Sequence, residues 1–274
     1  MVMSMAGDME IICVGNELLI GKTLNTNAQW IAKKATALGA NVKRITVVAD
    51  DVNEIGEEVR ESLGRKPQFI VTSGGLGPTF DDKTLEGIAE ALNRKLMVNA
   101  EALAMVREKY EAYAREKGTA PVELTQARVK MATLPENAEP VLNPVGTAPS
   151  VRVDVEHTVL VALPGVPSEM KAIFERWVVP LIKEVSDGSG FYEESVFVEG
   201  VMESGLAPLI DRVMRDNVGV YVKSHPKGRE SVPHIEVHFS VVADDGVVAE
   251  ERLRRAVLQL SGLMGKVGGA AVCG

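Results

Sequence analysis

Early in this chain, a short apolar, β-branched run is followed three times by a loop and then by an apolar stripe of helical period. Glu10 to Val14 reads as a buried strand. Past its loop, Ala28, Ile31, Ala32, Ala35 and Leu38 fall at helical spacing, with Gly39 placed as a C-cap. Val42 to Val48 is the next strand, and Ile55, Val59 and Leu63 mark a helix that ends at Gly64. Gln68 to Thr72 is the third strand, and Leu85, Ile88, Ala89 and Leu92 the third stripe. Strands separated by helices return in the same direction, so the alternation implies a parallel α/β sheet with right-handed crossovers. Ligands of such sheets bind in the crevice outside the carboxyl ends of the strands. Loops far apart in sequence should therefore meet there.

Four loops fall at strand-to-helix junctions: Gly15 to Leu19, Ala49 to Asp51, Ser73 to Asp82 and Leu163 to Glu169. Gly74, Gly75 and Gly77 allow backbone geometries that a Cβ would block and let amides approach an anion. The helix that follows offers its N-terminal N–H groups to the same anion. A tight ligand-free turn explains one such loop equally well, and the pattern is neither a Walker motif nor GxGxxG.

The carboxylates carry a similar ambiguity. Thr79-x-x-Asp82 and Asp51-x-x-Glu54 fit helix caps, yet adjacent carboxylates beside a phosphate cradle require a cation between them. We expect Asp50 and Asp82 to face the crevice, and Asp51 and Asp81 to be structural. Asn25, Thr26 and Asn27 open the first helix, partly as caps. Asn16 and Glu17 suit a ribose or metal contact. Pro167 suits the first helical position, and Ser168 either donates to a phosphate or sits in the first turn.

Farther along, residues 99–131 read as helical, interrupted near Gly118 and Pro121. Glu139 to Leu142, Val151 to Val155 and Val159 to Leu163 complete the sheet. Met170, Ile173, Phe174, Trp177, Val178 and Leu181 form the last stripe of the first domain. Ser186-Asp187-Gly188-Ser189-Gly190 is a linker, dividing a domain over 1–185 from a smaller one over 191–274. In the latter, Ser195 to Val198, Val218 to Val222 and His234 to Val242 are strands. Leu206, Leu209, Ile210, Val213 and Met214 mark one helix, and Val247 to Leu263 another. The β-α-β-β-α order predicts an α+β unit with its helices on one face and a frayed tail over Gly268 to Gly274.

Charge narrows the partners. With 274 residues, a formal net charge of −8 and a pI near 5.2, the chain lacks the basic face that nucleic acid requires. A small phosphate-bearing ligand held by backbone amides remains open. Cys13 and Cys273 form no CxxC, Met1 to Met9 has no signal-peptide pattern, and no apolar run could span a bilayer. The expectation is a cytoplasmic protein. His157, His225, His234 and His238 show no zinc spacing, and there is no GxSxG. Lys223, His225, Lys227 and Arg229 read as a solvated basic turn.

Taken together, the ordered motifs resemble one family. They are Gly15-Asn16-Glu17-Leu18-Leu19-Ile20-Gly21 with Asn25-Thr26-Asn27, Asp50-Asp51, Gly74-Gly75-Leu76-Gly77-Pro78-Thr79 with Asp81-Asp82-Lys83-Thr84, and Asn143-Pro144-Val145-Gly146-Thr147-Ala148-Pro149. Leu163-Pro164-Gly165-Val166-Pro167-Ser168-Glu169-Met170 and Tyr221-Val222-Lys223-Ser224-His225-Pro226-Lys227-Gly228 extend the set. They resemble CinA-type proteins, whose N-terminal domain has the MoaB/MogA-like molybdopterin-binding fold. The resemblance implies a three-layer αβα domain with a second, smaller α+β domain, assembled as a dimer or trimer. It places the two important aspartates at Asp50 and Asp82, which would hold Mg²⁺, Mn²⁺ or Co²⁺. Ligand contacts would come from Gly15, Asn16, Glu17, Asn27, Ser73, Gly74, Gly75, Gly77, Pro78, Thr79, Gly146, Thr147, Pro164, Gly165 and Ser168.

The activity so implied is metal-dependent hydrolysis of the ADP-ribose pyrophosphate. The alternatives are molybdopterin binding or adenylylation, and a non-catalytic nucleotide-sensing module. Many members add a nicotinamide-mononucleotide deamidase domain, which this chain is too short to hold, so that activity is expected to be absent. Ser150 departs from the usual Ala-Pro-Gly and would narrow the backbone approach at its loop.

Overall fold

The computed structural model describes residues 7–118, 123–186 and 190–227, together with 234–265 and the strand at 270–273. Pro121, Asp187 to Ser189, Gly228, Arg229, Gly268, Gly269 and Gly274 lie outside the described residues. The chain divides into two units, one carried by Ala6–Thr36 and Ala40–Val185, the other mainly by Ser186–Gly274.

In the first unit the order is β1 (Asp8–Val14), α1 (Asn16–Leu19), α2 (Thr26–Ala37), β2 (Asn41–Val48), α3 (Val52–Gly64), β3 (Phe69–Ser73) and α4 (Thr84–Ala91). Then come β4 (Leu96–Val98), α5 (Ala100–Lys117), α6 (Gln126–Lys130), β5 (Thr133–Pro135) and β6 (Glu139–Val141). The unit closes with β7 (Ser150–Val155), β8 (Thr158–Leu163), α7 (Pro167–Ile173), a π-helical turn (Phe174–Val178) and α8 (Val179–Val185).

Six strands form one sheet in the order β2-β1-β3-β8-β7-β6. β2, β1, β3 and β8 run parallel; β7 runs antiparallel to β8, and β6 antiparallel to β7. β1 is buried after Asp8 and β3 throughout, as expected of strands covered by helices on both faces. Cys13 lies within this core. Ile12, Ile55, Val59, Ile70, Ile88 and Leu160 belong to its main apolar cluster, each such side chain stabilising by about 1.5–3 kcal/mol. α3 and α4 meet closely: a Cβ on Gly87 would stand 2.4 Å from Ile55 Cγ2 and 3.2 Å from the Val52 carbonyl.

A buried charge is built into β1, beside the edge strand β2. Glu10 is only 3% exposed, and the Arg65 guanidinium reaches its two oxygens at 2.8 and 2.7 Å. Ser62 Oγ donates to it at 2.8 Å, and Arg65 also meets Glu58 at 3.0 Å. Burial alone would push the carboxyl up. The hydrogen bonds from Arg65 and Ser62, with the charges of Arg65 and Arg44, outweigh burial and hold it below its ordinary value.

Two local expectations change. Buried positions in the last helix of this unit run Met170, Ile173, Phe174, Val178, Val179 and Ile182, while Trp177 is 40% exposed and Leu181 half-buried. The π-helical turn inserts an extra residue into the helical repeat and shifts its phase from Trp177 and Leu181 to Val179 and Ile182. Residues 96–98 and 133–135 also pair as a short antiparallel ribbon on either side of the predicted helical stretch.

The smaller unit comprises β9 (Gly190–Glu199), α9 (Glu203–Asp216), β10 (Val220–Pro226), β11 (His234–Ala243), α10 (Gly246–Met264) and β12 (Ala270–Cys273). Its antiparallel sheet has the order β10-β11-β9-β12. Along β11 half-buried and buried residues alternate strictly, so one face packs with α9 and α10 around Leu206, Ile210, Phe239 and Leu260. The tail expected to fray instead pairs Ala270 with Glu199 and Cys273 with Val196. That pairing gives the backbone groups on the outer side of β9 partners they would otherwise lack. Among the described residues, no helix is long and apolar enough to cross a membrane.

Candidate functional site

The loops leaving β1, β2, β3 and β8 surround a cavity of about 480 Å³. Their mutual position is set by hydrogen bonds between segments distant in sequence. Asp50 Oδ2 accepts the Asn16 backbone N–H at 2.8 Å, tying the second loop to the first. Asp51 instead caps α3, its Oδ1 accepting from the N–H groups of Asn53 and Glu54 at 2.9 and 3.2 Å. Asn25 Oδ1 likewise takes the Ala28 N–H at 3.0 Å.

The glycine loop needs its glycines. Gly74 has φ +111°, and a Cβ there would lie 2.3 Å from the Val14 carbonyl oxygen. Gly74 N–H donates to Leu163 O at 3.0 Å, and Thr84 Oγ1 donates to Gly74 O at 2.8 Å. The following amides, those of Gly75, Leu76 and Gly77, donate to no acceptor among the described residues. All three residues line the cavity. Such a run of unpaired N–H groups could receive an anion.

Farther round the loop, Asp82 Oδ2 accepts from the Thr79 N–H at 2.8 Å and from the Thr79 hydroxyl. Lys130 Nζ donates to the carbonyls of Thr79 and Asp82. The Thr79-x-x-Asp82 pair therefore closes a loop rather than capping a helix. α4 starts later, at Thr84, and Lys83 at its cap position makes no side-chain cap bond.

On the opposite wall Asn27 Nδ2 donates to Ser73 Oγ at 3.0 Å and to Gly165 O at 2.8 Å. Asn27 Oδ1 is buried with no partner, an acceptor available to a ligand hydroxyl or N–H. Glu169, in the first turn of α7, is oriented by Asn143, whose Nδ2 donates to Glu169 Oε2 at 2.7 Å and to Ala148 O at 2.9 Å. Asn143 Oδ1 accepts from the N–H groups of Val145 and Gly146 at 3.0 and 2.8 Å. Gly146 leaves the room this requires, since a Cβ there would lie 2.0 Å from Glu169 Oε2.

Of the residues singled out from sequence, Gly15, Glu17, Asn27, Asp50, Ser73, Gly74, Gly75, Gly77, Pro78, Asp82, Thr147, Pro164 and Gly165 line the cavity. Asn16, Thr79, Gly146 and Ser168 are not part of the lining. Asn16 and Thr79 hold Asp50 and Asp82, Gly146 makes space, and Ser168 is exposed. Ser150 is fully buried at the start of β7 and does not reach the cavity. Asp81, assigned a structural role above, is in the lining. Glu169 went unnoticed because an acidic residue in a helix's first turn has a sufficient local explanation.

Among the described residues, the lining contains the carboxylates of Glu17, Asp50, Asp81, Asp82 and Glu169 and no lysine or arginine. Among the described residues, no group of three or more His, Cys, Asp or Glu could hold a metal ion by itself. Asp50 and Asp82 each have one oxygen engaged and one left over. This all-oxygen set fits a hard divalent cation that draws its remaining ligands from water and substrate phosphates.

A family model described as a probable molybdopterin-binding domain matches residues 10–184. The chain belongs to that family. Its α/β sheet has the MoaB/MogA-like molybdopterin-binding fold. CinA from Thermoplasma acidophilum is 41% identical in sequence, with a TM-score of 0.57 over 64% of this chain and 98% of that one. The molybdopterin-binding-like domain here is thus CinA-like. Full-length relatives include a Metallosphaera sedula protein, 44% identical over 95% of both chains, and a Pyrobaculum aerophilum protein, 47% identical over 92% of both.

Proposed function

We propose that the crevice binds the pyrophosphate of a nucleoside diphosphate such as ADP-ribose together with a divalent cation, and hydrolyses it. The observation that carries this reading is the pairing of free loop amides with a wall of carboxylates that has no basic side chain. A bare phosphate would be attracted by the amides and repelled by five nearby carboxylates. Asp50 and Asp82 would hold a divalent cation, whose charge would offset that repulsion. When bound, the cation supplies neutralisation of phosphate charge and activation of water.

The remaining roles fall to the chain. The amides of Gly75, Leu76 and Gly77 meet the phosphate oxygens where negative charge develops. Asn27 Oδ1 accepts a hydrogen bond from the ligand, and Asn143 fixes the direction of Glu169 at the cavity wall. Lys130 and Thr79 keep Asp82 in place before any ligand arrives, which lowers the ordering cost of binding.

The family description favours a second reading, in which the same amides hold the phosphate of molybdopterin. Purified protein incubated with ADP-ribose and Mg²⁺, Mn²⁺ or Co²⁺, with an EDTA control, separates the two by chromatography. The hydrolase reading expects AMP in the presence of metal, and its loss in Asp82→Asn. AMP release that survives both EDTA and Asp82→Asn would overturn the assigned chemistry. No release with any metal, alongside a pterin that co-purifies and fluoresces after oxidation, would favour the second reading.

A further inference from the structure

A second cavity, of about 310 Å³, lies against the glycine loop. It shares Gly75, Leu76, Gly77 and Asp82 with the crevice, so the loop is the common wall of both. Its other walls are largely apolar: Leu85 from α4, Leu96 from β4, Leu124 just before α6, and Val129 within it. A few polar groups edge it. Gln126 has an exposed amide that offers both donor and acceptor, and Thr133 Oγ1 donates to Val129 O at 3.0 Å while remaining able to accept.

The charges at this cavity decide what it can take. Lys130 lines it, but its ammonium is engaged by the Thr79 and Asp82 carbonyls. Glu86 adds a negative charge. With Asp82 also in its wall, a phosphate would meet two carboxylates against one ammonium. An uncharged, flat ring with polar edges meets apolar walls and an amide instead, the ordinary composition of a small-molecule pocket. The two cavities divide the work: charge on one side of the loop, apolar contact on the other.

We infer that this cavity is a ring subsite, holding the heteroaromatic ring of a ligand whose phosphates lie over the glycine loop in the crevice. The inference rests on the phosphate reading of the crevice and adds the residues that select the rest of the ligand. Purines and pterins share the required chemistry, and the test distinguishes them.

Leu124→Trp and Val129→Phe add bulk to the cavity from positions outside the glycine loop, and Gln126→Ala removes only an exposed amide. Calorimetric titration with Mn²⁺ present compares ADP-ribose, neopterin monophosphate, ribose 5-phosphate and inorganic pyrophosphate on the full chain. The filled variants should bind ADP-ribose about tenfold or more weakly and keep pyrophosphate affinity within about twofold of the parent. Gln126→Ala should weaken the ring-bearing ligand alone. Intact pyrophosphate binding shows that the filled variants remain folded at the crevice. If the parent protein binds neopterin monophosphate but not ADP-ribose, and the filled variants weaken it, the hydrolase reading fails and the ring subsite stands. If ring-bearing ligands bind all three variants as they bind the parent, or if the parent binds neither of them, the ring subsite is overturned.

Discussion

Replacing Arg65 with leucine removes the main partner of a carboxylate that the fold has already buried. Glu10 is 3% exposed on β1 and takes hydrogen bonds from Arg65 and from Ser62. Removing one member of a buried pair costs about 3–5 kcal/mol, because the remaining charge is left without compensation. The Ser62 bond persists and Arg44 stands 4.0 Å away, so the lower end of that range, about 3 kcal/mol, is expected near neutral pH.

The pH dependence carries a sign. In the parent protein the folded carboxyl lies below its ordinary value of 4.5. Its stabilisation is therefore complete above the unfolded value and lost as pH falls through the folded one. In Arg65→Leu, burial is no longer outweighed, the folded carboxyl moves up, and stability is lost as pH rises through that higher value. The deficit relative to the parent should shrink on acidification from about pH 7 to about pH 4. Both tryptophans, Trp30 and Trp177, belong to the larger unit, so denaturant unfolding followed by tryptophan fluorescence reports the unit in question. Glu10→Gln combined with Arg65→Leu should recover part of the loss. A deficit below about 1 kcal/mol, or one equal at both pH values, would refute the reasoning.

Two further outcomes follow from the glycine loop. Gly74→Ala places a Cβ 2.3 Å from the Val14 carbonyl at φ +111°. It should cost about 1–3 kcal/mol through backbone strain alone and weaken pyrophosphate binding, as denaturation and calorimetry would show. Lys130→Met frees the Thr79 and Asp82 carbonyls. Apparent Mn²⁺ affinity in the presence of ADP-ribose should fall by about tenfold, with partial rescue by Lys130→Arg; an unchanged metal midpoint would show that Asp82 does not depend on that clamp.

Much of the architecture was legible because its signals are local. Helical stripes such as Ile55 with Val59, the cap at Asp51 and the alternation of strand and helix depend only on neighbours within a few residues. They were enough to indicate a parallel α/β sheet and to bring Asp50, the glycine loop and Gly165 to one edge. The small unit's two-residue alternation along β11 was equally plain. The resemblance to CinA-type proteins added the matching of motifs, and the family match over residues 10–184 bears that out.

Local signals failed where the deciding contact lies far along the chain. Asp82 suits a helix cap by spacing, yet its carboxylate is taken by Thr79 and its backbone carbonyl by Lys130, 48 residues away, so the segment stays a loop. Glu169 became part of the cavity through Asn143, 26 residues earlier, and Asn27 found its acceptor at Gly165, 138 residues later. The phase of the last helix turned on a π-helical turn at Phe174–Val178, and Ala270–Cys273 became ordered by pairing with β9. By itself the sequence determined the strand–helix alternation of the first unit and which of its loops share an edge, because periodicity and caps are properties of neighbouring residues. Only the tertiary structure decided which side chains line the crevice and what holds each one there, because those hydrogen bonds form only after the loops have been brought together.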